Sequence, residues 1–166
     1  SFPKHASQNI ISRLTGGHGR YMDKLKRAHD HHIKMRNAHA SMEDKLGVAG
    51  SDDEHSDEEG IMSFNHYESH THHHDAASAI KKLAYHAKKN KLTRHPVAKS
   101  TDSEGNALLH KARKASAEAH ASSHKTYDKN YFRTQVRPHH MDSHNSHQRD
   151  FKSTKYGPGD HHKNLK

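Results

Sequence analysis

The sequence predicts a mostly α-helical chain with extended and irregular segments: two to three separate amphipathic helices and a long basic tail, with no independent globular core. Three observations lead there. Leu, Ile, Val and Phe supply twenty of 166 residues, about 12% of the chain. That is below the roughly 20% under which a highly charged chain fails to close a core, because ordering each residue costs about 1–2 kcal/mol of backbone entropy. The apolar residues that are present recur at helical rather than alternating spacing. Cysteine is absent, so neither disulfides nor thiolate metal sites brace the chain. The expectation is a chain that acquires order on a partner.

Residues 1–47 read as an N-terminal helical segment. A short helix over 7–15 is capped by Ser7 and stopped by Gly16-Gly17, and is too short to stand alone. From Gly19 a longer helix begins, in which Tyr21, Leu25, Ala28, His32, Met35, His39, Met42 and Leu46 follow at alternating steps of four and three. This is a heptad seam of nearly four repeats, ending at Gly47. Its a positions are Leu25, His32, His39 and Leu46, so histidine holds the two central places where leucine is expected. A polar a residue lowers stability and selects oligomer state, and a protonated pair would oppose association. The same face equally suits a helix laid on a foreign surface.

Residues 48–63 read as an acidic linker, with no apolar residue between Ala49 and Gly60. Ser51 in S-D-D-E and Ser56 in S-D-E-E match the acidic pattern that acidophilic kinases prefer, so both are candidate phosphorylation sites. Residues 64–92 read as a His-rich lead-in and a basic helix from Ala76, with Asp75 as its N-cap. Ala76, Ile80, Leu83 and Ala87 form its apolar stripe, flanked by Lys81, Lys82, Lys88, Lys89 and Lys91. Residues 93–125 comprise a loop broken by Pro96 and an Ala-rich helix of about twenty residues, started by a capping box at T101-D-S-E104. Its stripe runs through Leu108, Ala112, Ala115 and Ala119. Residues 126–166 keep neither helical nor strand periodicity and read as an extended basic and aromatic tail.

Charge is laid out in blocks. Residues 1–50 carry nine Lys and Arg against four Asp and Glu, residues 51–75 none against eight, and residues 76–166 nineteen against seven. The basic flanks point to an acidic partner. Twenty-three histidines add a charge that rises steeply as pH falls from about 7.5 to 5.5.

These patterns exclude most catalytic chemistry. No phosphate-cradling loop, nucleophile elbow, His-Glu-x-x-His motif or apolar carboxylate pair is present. The reading is therefore no enzyme, no small-molecule substrate and no cofactor. His66, His70 and His74, spaced four apart, are the strongest metal-ligand candidates, and adventitious Zn²⁺ is the bland explanation of such a His-dense string. No apolar run spans a membrane or serves as a secretory leader, so the expected setting is intracellular and cytoplasmic.

The partner-binding candidates are Lys81, Lys82, Lys88, Lys89, Lys91, Arg94, Arg113 and Lys114, followed by Tyr127, Tyr131, Phe132, Arg133 and Arg137, where charge interleaves with stacking platforms. The leading expectation is a non-enzymatic structural component that winds over an acidic surface of a large complex and orders on binding. A cytoskeletal lattice, a virion or a ribonucleoprotein particle, with its other subunits, would supply that surface. The alternatives are a nucleic-acid-binding accessory protein with a phosphorylatable acidic linker, and a His-based metal or pH responder.

Overall fold

A computed structural model describes residues 1–5, 17–46 and 58–128. Three helices account for most of them, and no strand occurs among the described residues: α1, His18–Leu46; α2, Glu58–Lys89; α3, Ser103–Tyr127. The expected 7–15 helix, most of the acidic linker and the tail from residue 129 lie outside the described residues, as do Ser51, Ser56, Tyr131, Phe132, Arg133 and Arg137. No described helix is long and apolar enough to cross a membrane.

All eight seam positions of α1 are buried, Tyr21, Leu25, Ala28, His32, Met35, His39, Met42 and Leu46. What they bury against is the rest of the same chain. α2 packs along both α1 and α3. It runs antiparallel to α1, since His39 meets His66 while His32 meets His73. α3 runs parallel to α1, since His32 meets Ser116 and His39 meets Ser123 at the same sequence separation of 84.

The expectation of separate helices without a core is therefore corrected: the helices form one bundle. Leu and Ile are scarce, but alanine lets backbones approach closely, methionine fills irregular gaps, and histidine and serine take interior places that an apolar count leaves out. One apolar cluster holds Tyr21, Met22, Leu25, Ile80, Leu83 and Leu109 among buried alanines. A second, at the other end, holds Met35, Met42, Leu46 and Met62, with Tyr127 packed beside it.

Two boundaries also move. α2 extends back from the expected start at Ala76 to Glu58, so the His-rich stretch is helical and Asp75 lies in mid-helix rather than at a cap. The buried stripe continues N-terminal to Ala76 through His73, Ser69, His66 and Met62, which is why the helix does not begin where its apolar residues do. At its other end the chain turns through Lys91 at φ 50°, and the Leu92 amide returns to the Ala87 carbonyl. α3 is capped by Asp102, not by the box expected from Thr101: the Asp102 carboxylate accepts from the Gly105 N–H at 2.9 Å. Its buried face carries Leu109, Ala112, Ser116, Ala119 and Ser123, while Leu108 and Ala115 are only half-buried.

Candidate functional site: a buried histidine column and a basic end

Between the apolar clusters the interior is polar. His32 and His39 of α1, His66 and His73 of α2, and Ser69, Ser116 and Ser123 of α2 and α3 are all without solvent exposure. The spacing explains it. His32 and His39, His66 and His73, and Ser116 and Ser123 are each seven residues apart, so each pair projects toward the bundle axis from its own helix. The result is two layers of the same composition, His–His–Ser, stacked on an apolar layer of Leu25, Ile80 and Leu109.

The layers are joined by a continuous hydrogen-bond chain. The His32 and His73 Nδ1 atoms lie 2.7 Å apart, and those of His39 and His66 lie 2.8 Å apart. His32 Nε2 reaches Ser116 Oγ at 3.0 Å, and His39 Nε2 reaches Ser123 Oγ at 3.0 Å. Ser123 Oγ also meets His73 Nε2 at 2.7 Å and Ser69 Oγ at 2.7 Å, which makes it the junction of the two layers. The rings form a column, with His39 stacked on His73 at 5.5 Å and tilted against His66 at 5.1 Å.

Proton accounting fixes what this chain tolerates. A neutral imidazole has one N–H and one lone pair, so each Nδ1 contact is satisfied when one ring donates and the other accepts. Charging both rings of a pair would set two N–H groups face to face. Each pair therefore keeps at least one ring neutral. Burial, followed by the neighbouring His66, His73 and His70, holds His39 well below the ordinary histidine value.

Charged and titratable groups surround the column without entering it. On α1 they are Arg36, near His74, and Glu43, 3.6 Å from His70. On α2 and α3 they are Glu68 with Lys125 at 3.3 Å, His72 between Glu68 and Glu118, and His120 with His124 at 2.9 Å.

The three metal candidates do not converge. Steps of four residues rotate them around α2, leaving His66 buried, His70 half-buried and His74 exposed. Among the described residues no group of three His, Cys, Asp or Glu side chains is placed to hold a metal ion.

Outside the column, charge separates along the bundle. The half built from residues 18–28 and 80–114 carries fourteen Lys and Arg against three Asp and Glu. The half built from 29–46, 62–79 and 115–128 carries four against seven, with eleven histidines. Lys82, Lys88, Lys89, Lys91, Arg94, Arg113 and Lys114 are exposed at the basic end, and Lys81 is half-buried. Tyr127 stands apart from them, half-buried beside His124, with its hydroxyl pKa raised by burial and by Asp128.

At the basic end the α2–α3 connection is pinned twice. His18 Nδ1 donates to the Leu92 carbonyl at 2.7 Å, and the Tyr21 hydroxyl meets His95 Nδ1 at 3.0 Å. Buried His86 ties α2 to the start of α3 by reaching both Asp102 oxygens, at 3.0 and 2.9 Å. Hydrogen bonds from His86 and then from the Gly105 N–H hold the Asp102 carboxyl below its usual range.

The sequence reading found the α1 histidines and most of the basic-end cations, but not the column. The signal was present as the shared seven-residue spacing of His66 and His73 and of Ser116 and Ser123. Comparison with family models, with curated proteins and with solved structures finds no match to this chain.

Proposed function

We propose that this chain is a non-enzymatic assembly component that docks its basic end on an acidic surface of a large complex. The observation that carries this reading is the separation of charge along the bundle, which concentrates exposed cations at one end. Such a field steers association with an anionic partner and orients the bundle as it arrives. Tyr127, the one aromatic platform of the nucleic-acid reading within the described residues, is packed against the second cluster. That favours a protein surface over stacking on bases.

The test measures binding of the full chain to polyglutamate and to short duplex DNA as a function of salt. Neutralising Lys82, Lys88, Lys89 and Lys114 to Gln together is expected to weaken polyglutamate binding by about tenfold or more, since each exposed pair contributes up to about 1 kcal/mol. Unchanged binding refutes docking through this end. Tighter binding to DNA, with a log–log salt slope showing several released counterions, converts the reading to a nucleic-acid accessory protein.

The buried column favours a second reading, a His-based pH responder. Its interior is complete only while at least one ring of each pair is neutral, so acidification acts on the folded state itself.

A further inference from the structure

α2 packs along both of its neighbours, and its third side is turned to solvent. Four large apolar side chains are exposed among the described residues, and three of them, Phe64, Tyr67 and Tyr85, stand on that side at 56%, 47% and 51% exposure. The Phe64 and Tyr67 rings lie 6.5 Å apart, and the Tyr85 hydroxyl donates to the Ser1 carbonyl at 2.8 Å. Their spacing makes a stripe. Phe64, Thr71, Ser78 and Tyr85 are each seven residues apart, with Tyr67 and His74 between them. All six are exposed except Ser78, which is half-buried. This is a second heptad seam, about 30 Å long, on the side of α2 opposite His66 and His73.

Charge sets the orientation of whatever lies there. Within α2, Glu58, Glu59, Glu68 and Asp75 precede Ala76 with no Lys or Arg among them, and Lys81, Lys82, Lys88 and Lys89 follow it with no Asp or Glu. Glu68 also meets Lys125 at 3.3 Å within the bundle, and the contrast in sign survives without it. Two copies laid parallel along the stripe would set like charge against like. Laid antiparallel, they set each half against its opposite. With the twofold axis between His74 and Asp75, Phe64 comes level with Tyr85 of the second copy, Tyr67 with its Lys82, and Thr71 with its Ser78. Aromatic against aromatic and ammonium beside a tyrosine ring are both favourable pairs. The stripe is thus its own complement, as a twofold contact requires.

We propose that the outer stripe of α2 binds a second copy of this chain in antiparallel orientation, with Phe64, Tyr67 and Tyr85 as its apolar contacts. The inference does not depend on the docking reading, since Phe64 and Tyr67 belong to the half of the bundle opposite the basic end.

Sedimentation of the full chain over a range of concentrations tests it. The expected result is a mass that rises from one chain toward two. Phe64→Gln and Tyr67→Gln should each weaken the dimer by about tenfold or more, because each change acts twice across a twofold interface. Both positions are exposed, so helical ellipticity and polyglutamate binding are expected to stay unchanged. Orientation is read by disulfide cross-linking, for which the chain has no competing cysteine. Thr71→Cys mixed with Ser78→Cys should cross-link, and either variant alone should not. Equivalent positions would be offset by about 10 Å along the helices, beyond the roughly 7 Å that a disulfide spans between Cα atoms. A mass of one chain at every concentration overturns the proposal. So does a dimer that Phe64→Gln and Tyr67→Gln leave intact, or cross-linking of either cysteine variant with itself. In a monomer, slow thiol modification of Tyr67→Cys would assign the stripe to another part of the same chain, and rapid modification would leave it to a foreign partner.

Discussion

Acidification from about pH 7 to pH 5 is expected to strip several kcal/mol of stability from the bundle. His39 has its folded pKa depressed far below the ordinary 6.5. The unfolded chain therefore takes up a proton that the folded one refuses, and stability falls as pH drops from the unfolded value toward the folded one. For one such ring the loss between pH 7 and pH 5 is about 1.9 kcal/mol, from the ratio of unfolded-state binding terms at a pKa of 6.5. The facing Nδ1 atoms keep at least one ring of each pair neutral. Two excluded protons, one for each pair, would together cost about 4 kcal/mol, against a typical domain stability of about 5–15 kcal/mol. Urea unfolding of the full chain, followed by helical ellipticity at about pH 7.5, 6.5, 5.5 and 5, measures it. The double variant His39→Leu with His66→Leu removes one pair and is expected to halve the pH dependence. Midpoints that stay constant between pH 7.5 and 5, or an undiminished fall in the double variant, would refute the reasoning.

Other expectations follow from the same contacts. Ser123→Ala removes a hydrogen bond from each of three buried groups, His39, His73 and Ser69, and is expected to destabilise by about 2–4 kcal/mol in urea titrations. Ser116→Ala, which touches only His32 in the chain of bonds, should lower stability by less in the same titration. Leu25→Ala empties the apolar layer shared with Ile80 and Leu109, with an expected loss of about 2–5 kcal/mol by thermal or urea unfolding. Asp102→Ala removes the α3 cap and the His86 partner together, and should accelerate amide exchange at Gly105 and Asn106. Gly105→Ala should do the same by another route, since a Cβ at Gly105 collides with the Asp102 carboxylate.

The seam of α1 was legible because its steps of three and four mark buried places whatever occupies them, and all eight are buried. The N-terminal half of α2 was not, because its inward residues are His66, Ser69 and His73, which an apolar count assigns to the outside. Composition pointed to separate helices for the same reason. It weighs Leu, Ile, Val and Phe, whereas this interior leans on Met, Ala, His and Ser. The α3 cap required a choice between Thr101 and Asp102 one residue apart, and His86 reaching across from α2 decides it, a contact that local sequence does not show. The basic end was partly visible: Arg94 and Arg113 stood out, while Arg20 and Lys24 join them only once α1 returns beside the α2–α3 connection.

The repetition of the His–His–Ser layer bears on how the helices find their alignment. A bundle of alanine and methionine has a smooth interior, and its helices can slide by a turn of about 5.4 Å with little change in buried area. Here a slide of α2 past α1 separates both histidine pairs at once, and a slide of α3 takes Ser116 and Ser123 away from both layers. Each polar group stranded in the interior costs about 1–3 kcal/mol, so a misregistered bundle is penalised several times over. Two identical layers seven residues apart act as the teeth of a ratchet: one alignment engages both, and intermediate ones engage neither. The column thus adds a penalty against every other register to the one that the Leu25, Ile80 and Leu109 layer already imposes.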